Sequence, residues 1–183
     1  MLPEAASALP INVHTADDVA AILRERGWLA QSVFADADGP LAAWLARAAQ
    51  LLGPHASTRE DLAELLSPIF TYDAAAILRD VMNHAVLTRA GARDVLREAA
   101  NRVLIAGDID SDGFKSLIDG LKASLPYRGP ALFLPIRLAL AGKSGDGALD
   151  RVILLLDAAA KLNFAVPVKT ARQRILEFCA AFD

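Results

Sequence analysis

The sequence predicts an all-α fold, and three observations carry that expectation. Apolar residues recur at helical spacing along most of the chain, and no stretch alternates convincingly with period two. Hydrophobic residues make up 54% of the chain, rich in Ala and Leu, and aromatics only 6%, which favours helices packed through aliphatic side chains over a β-sandwich. Capping residues and Gly-Pro stops punctuate the apolar stripes. At 183 residues the chain can bury a sizeable core in one domain or in two packed subdomains.

Residues 1–14, with Pro3 and Pro10 and no periodicity, read as a loosely held lead-in. Thr15 with Asp17 and Asp18 opens the first helix, which buries Val19, Ile22 and Leu23 and ends at Gly27. Gly39-Pro40 opens a second helix, with Leu41, Trp44, Leu45, Ala48, Leu51 and Leu52 inward and Gly53-Pro54 as its stop. Ser57 and Glu60 form a capping box for a third, carrying Leu62, Leu65 and Leu66 and ending near Pro68. Tyr72-Asp73 starts another that reaches Leu87. Gly91 to Ile105 turns Val95, Leu96, Ala99, Val103 and Leu104 inward, and Leu117, Ile118 and Leu121 mark the helix after Gly113. Leu149, Val152, Ile153 and Leu156 give one more helix, and residues 170–182 the last. The expected architecture is a compact helical cage of about nine helices, in an N-terminal subdomain over 15–70 and a C-terminal one over 71–183.

Charge bounds the partners. The net charge is −3, whereas dedicated nucleic-acid binders usually carry a basic balance. Any RNA contact must therefore come from a local basic patch, and DNA is not an expected partner. No apolar run reaches the roughly 20 residues of a membrane span, and the N-terminus lacks the basic region of a signal peptide. The single cysteine, Cys179, can form no internal disulfide, so a cytoplasmic protein is expected.

The stretch from Ala131 to Gly142 is the most distinctive. Leu132, Phe133, Ile136, Ala139 and Leu140 make one strongly apolar helix face, Pro135 should kink the helix or confine it to its first turn, and Gly142 ends it. Arg137 is its only charge. It must reach a carboxylate or something outside the domain, because a buried unpaired guanidinium costs several kcal/mol.

With Leu132-Phe133, Pro135-Ile136-Arg137, Ala139-Leu140 and Gly142, this stretch resembles the "QPLRAALTG"-like segment of the C-terminal, anticodon-binding helical cage of bacterial glutamyl-tRNA synthetases. The resemblance covers roughly residues 16–160. Ile22 to Gly27 is similar to that family's "FLREAGL" segment, Gln50 to Leu62 to its "LxRxRxxTLxEL" segment, and Tyr72-Asp73 to its "YD" helix start. The resemblance implies a non-catalytic tRNA-binding protein without the catalytic half, since neither HIGH-like nor KMSKS-like signatures occur, and therefore no enzyme and no cofactor. It places Arg137 on the family's second anticodon-facing arginine and Leu149 on its nearby leucine. His55 stands where the family commonly has another arginine, and a neutral imidazole cannot supply the same charged fork. Arg59, Arg128 and Lys143 are the expected phosphate-neutralising neighbours, and a separate synthetase or another translation component is a further expected partner. The alternative is a helical protein-interaction module that has lost RNA binding.

Two further patterns weigh less. Asp108, Asp110 and Asp112 with Gly113 and Asp119 copy an EF-hand spacing, which keeps a calcium site as a weaker alternative to an ordinary helix start capped by Asp or Ser111. Ala141-Gly-Lys-Ser144 echoes a P-loop tail without its first glycine or preceding strand, and reads as a helix stop with a solvated lysine. His14, His55 and His84 are too scattered for a zinc site. Arg89, Arg93, Arg97 and Arg102, with Asp94 and Glu98, read as an exposed face laced with ion pairs.

Overall fold

Local signals start the helices. The computed structural model describes residues 14–36 and 38–182, so the expected lead-in falls, but for His14, outside the described residues. Thr15 and Asp18 form a full capping box for α1 (Ala16–Glu25): Asp18 N donates to Thr15 Oγ1 at 3.2 Å and Thr15 N to Asp18 Oδ2 at 2.8 Å. After Gly27, at φ +74°, the amides of Trp28 and Leu29 both donate to Leu23 O and fold the chain back. Pro40 opens α2 (Pro40–Leu52), which runs into a short 3-10 turn over Gly53–His55. The cap of α3 (Arg59–Phe70) lies one residue beyond the expected Ser57-Glu60 box, at Thr58 with Asp61. The shorter Asp61 side chain reaches back to the amides of Thr58 at 2.8 Å and Ser57 at 3.0 Å, while Glu60 pairs with Arg26 at 2.5 Å. Pro68 does not end α3 but lies within its last turn.

These caps carry a pH dependence. Hydrogen bonds from the Thr58 amide and hydroxyl hold the Asp61 carboxyl below its ordinary 3.8, and the corresponding bonds from Thr15 do the same for Asp18. A carboxyl depressed in the folded state stabilises it fully above the unfolded-state value, and that contribution is lost as pH falls through the folded value. Asp61→Asn, which can still accept a hydrogen bond but cannot titrate, is expected to flatten the fall of the urea midpoint below about pH 4. An unchanged acid slope would show that the cap does not govern acid stability.

The remaining chain forms α4 (Ala74–Arg79), α5 (Val81–Leu87), α6 (Ala92–Ile105), α7 (Ser111–Ser124), α8 (Pro130–Ala141), α9 (Ala148–Ile153), α10 (Leu156–Ala160) and α11 (Ala171–Phe182). The described residues thus hold eleven α-helices and no strand. Two breaks account for the excess over the expected nine. Asp80 takes an extended ψ of 116° and its carboxylate accepts from Met82 N, which re-caps the chain between α4 and α5. Leu155 N bonds Val152 O at 3.1 Å, an i+3 tightening that separates α9 from α10. Leu104, expected inward, is 42% exposed, because Val103 takes the last inward position of α6 and Leu104 lies about 100° further round.

Pro135 does not confine α8, which continues to Ala141 and stops at Gly142 with φ +74°. A mid-helix proline costs about 3 kcal/mol. Leu132, Ile136, Leu138 and Leu140 are all fully buried, each worth about 1.5–3 kcal/mol, so packing outweighs the lost hydrogen bond.

The buried apolar residues form one contiguous cluster. Helices α1, α2, α3 and α9 pack around Trp44, whose indole donates to Leu155 O at 3.1 Å. Trp28 stacks on Phe70 at 4.8 Å, and Phe164, beyond α10, closes edge-on against Trp44 and Phe70. On the other side α11 lies across α4, α6 and α8. Among the described residues no helix is long and apolar enough to cross a membrane.

Candidate functional site

Arg137 is the natural starting point, and its partner is a carboxylate of its own chain. Its Nε donates to Asp150 Oδ1 at 2.7 Å and its Nη2 to Asp150 Oδ2 at 2.8 Å, a bidentate fork. Nη1 donates to Gly145 O at 2.8 Å, and the guanidinium lies 5.2 Å from the Phe133 ring centroid. The bonds to Asp150 raise the Arg137 pKa against the opposing effect of burial. Arg137 thus ties the loop over residues 142–147 and the start of α9 to α8. Buried Leu149 packs beneath the same loop, where a Cβ on Gly145 would come within 2.9 Å of it.

The other expected cations are held elsewhere. Arg59 pairs with Glu25 at 2.7 Å, a surface bridge between α3 and α1. Lys143, from the loop after α8, reaches Glu64 on α3 at 3.3 Å. Arg128 donates to the carbonyls of Lys122, Leu125 and Tyr127 and closes the C-terminal end of α7. Each of these charges is engaged within the chain, and of the expected residues Arg137, Lys143 and Leu149 meet at the loop over residues 142–147, Lys143 within it and the other two against it. The helical basic row is likewise tied locally: Arg102 pairs with Glu98 at 2.8 Å, and Arg93 lies 4.6 Å from the Phe182 ring centroid.

His55 is exposed at the end of the 3-10 turn, where it faces an open concavity of about 860 Å³. Arg47 and Gln50 from α2, Ser111 at the start of α7 and Arg151 on α9 share that surface, and no acidic side chain lines it. Sequence reading missed Arg47 and Arg151. Both sit at ordinary outward-facing positions, and only the tertiary arrangement brings them to His55.

The calcium alternative is corrected by the course of α7. That helix begins at Ser111, so Asp112 and Asp119 lie on helical turns and no twelve-residue loop forms. Asp110 caps α7 by accepting from Gly113 N at 2.9 Å, and Asp108 pairs with Lys161. No group of three or more potential ligands among the described residues is arranged for a metal. The P-loop echo has α8, not a strand, before it.

Two buried polar side chains organise the segment beyond residue 160. Arg174 is fully buried and donates to the carbonyls of Pro68, Ile69, Leu140 and Lys169. Asp157 is buried and accepts from the amides of Ile109 and Ala171. Arg174 was legible in principle, because the inward stripe Ala171, Arg174, Ile175, Phe178 has an arginine at one of its four positions.

An all-α domain with a basic concavity beside an arginine-pinned loop fits a helical binding module. The chain belongs to the anticodon binding domain family, whose model matches residues 15–160. No curated protein and no solved structure matches the chain.

Proposed function

We propose that this chain is a non-catalytic tRNA-binding protein of the glutamyl-tRNA synthetase kind, docking on the anticodon stem in the cytoplasm. The observation that carries the reading is membership of the anticodon binding domain family over residues 15–160. The glutamyl assignment is supported by the stretch from Leu132 through Pro135-Ile136-Arg137 to Gly142. We take the chain as two packed halves, 15–70 and 71–183, working beside a separate synthetase or another translation component.

Docking is the mechanism. Arg137 fixes the loop after α8 through Asp150 and Gly145, and the N–H groups its fork leaves over are available to a base edge or phosphate. His55 and Leu149 complete the surface, with Arg59, Arg128 and Lys143 as outlying charges that exchange their internal partners for phosphate.

Fluorescence anisotropy with deacylated total tRNA tests this directly. Micromolar binding that weakens as salt rises is expected, with Arg137→Ala weaker by about tenfold, as for one charged hydrogen bond. Circular dichroism should show the variant still helical. No binding at low salt overturns the tRNA reading and leaves the protein-interaction module.

A further inference from the structure

We propose that the concavity between α2, the Gly53–His55 turn, the start of α7 and α9 is a phosphate-binding surface for single-stranded RNA, with Arg47 and Arg151 as its principal contacts. The inference deepens the tRNA reading above and rests on it for the kind of polyanion.

The state of the basic side chains carries it. Arg59, Arg137 and Lys143 are in ion pairs, and Arg128 is spent on backbone carbonyls. A phosphate that recruits any of them must break an existing interaction. Arg47 and Arg151 are in no ion pair among the described residues. Arg47 makes one long contact, from Nη2 to Ser111 Oγ at 3.5 Å, which leaves the serine proton free to donate. Arg151 is exposed with no ion-pair partner among the described residues to displace, and its neighbour Asp150 is already occupied by Arg137.

The surroundings do not cancel these charges. Asp108, Asp110 and Asp157 line, with Arg47, a neighbouring concavity of about 580 Å³, but Asp108 is neutralised by Lys161, Asp110 caps α7, and Asp157 is buried and accepts from two backbone amides. On the His55 side the lining is Gln50, Leu51 and Pro54 with small alanines, so donors and apolar surface meet there without a carboxylate. Guanidinium forks take phosphate oxygens bidentately, and an apolar floor accommodates a ribose or an unstacked base. The shallow, open shape lets a continuous strand cross rather than enclosing a small ligand. In a chain of net charge −3, two arginines in no ion pair among the described residues, on a concavity whose lining holds no carboxylate, are where a polyanion gains most.

The test uses the full chain, deacylated tRNA and a short labelled single-stranded oligoribonucleotide. Arg47→Gln/Arg151→Gln is compared with Arg79→Gln/Arg172→Gln, a control with the same charge change at two exposed arginines outside the concavity. The first pair is expected to weaken binding of both RNAs by at least about tenfold and to lower the salt slope by about 0.7 per arginine, as for lost single-strand phosphate contacts. The control is expected to cost less than about threefold. Urea midpoints should stay the same in both, since neither pair removes an ion pair. Equal losses in the two variants overturn the inference, because binding would then follow overall charge. Undiminished tRNA binding in Arg47→Gln/Arg151→Gln overturns it too, while the tRNA reading stands. Oligoribonucleotide binding that depends on the concavity, without binding of tRNA, supports the inference and sinks the tRNA reading. No binding of either RNA by the wild-type chain sinks both.

Discussion

Arg174→Met is expected to lower the unfolding free energy by about 3–5 kcal/mol, the range for removing one partner of a buried charged network. The guanidinium has no exposed surface and donates from Nη1 to Pro68 O and Leu140 O at 2.8 Å, and from Nη2 to Ile69 O at 2.6 Å. Those carbonyls belong to the last turns of α3 and α8, where helical acceptors lack intrahelical donors and the dipoles present their negative ends. One arginine therefore terminates two helices at once. Tyr72 holds it from below: the ring centroid is 4.5 Å from the guanidinium carbon, and the hydroxyl donates to Ala139 O at 2.6 Å. Burial pushes the Arg174 pKa down to about 10, so it is charged at neutral pH. Burial pushes the Tyr72 phenol up, which keeps it a donor.

Methionine approximates the volume but supplies no donor, and each stranded carbonyl forfeits a charged hydrogen bond of about 1.5–3 kcal/mol. Relief from burying a cation offsets part of that loss. Lysine keeps the charge but cannot reproduce a fork reaching three carbonyls, so Arg174→Lys should fall between the two. Urea unfolding followed by circular dichroism reads the result. A Met variant within about 1 kcal/mol of wild type would mean that desolvation cancels the hydrogen bonds, as it does in some buried ion pairs.

Much of the fold was legible in the sequence, because helix signals are local. Thr15 and Asp18 lie three apart and cap α1 as expected, and Gly142 takes the left-handed conformation its position calls for. The one-residue error at α3 came from two adjacent hydroxyls followed by two adjacent acids, where only side-chain reach chooses Thr58 and Asp61. Asp80 hid inside a helical pattern, since its capping bond to Met82 N is a choice the chain makes against continuing the helix.

The candidate site was less legible, for a physical reason. Sequence reading can find a cation but not whether it is already satisfied. Arg137 had to pair with a carboxylate or an outside group, and Asp150 settles that within the chain. Arg59 and Lys143 are expended on glutamates contributed by α1 and α3. Arg47 and Arg151 gain their interest from the absence of acids in the lining of the concavity they share, a property only of the folded surface.

Asp157→Ala is expected to cost about 2–4 kcal/mol and to loosen two distant segments together. One carboxylate bridges them: Oδ2 accepts from Ile109 N at 2.6 Å and Oδ1 from Ala171 N at 2.7 Å. Both donors belong to buried residues, and Ala171 is the first residue of α11. Alanine leaves the two amides without acceptors, at about 1–3 kcal/mol each. Asp157 also lines the concavity of about 580 Å³, so water can replace part of the carboxylate and hold the loss below the sum. Asp157→Asn retains one acceptor and should lose about half as much. Hydrogen exchange separates this account from general destabilisation. The amides of Ile109 and Ala171 should lose protection first, with α1 and α3 unaffected. Uniform loss of protection across all helices would make Asp157 an ordinary core residue. Selective loss would make it the pin that joins residues 161–182, which lie beyond the family match, to α10 at its edge.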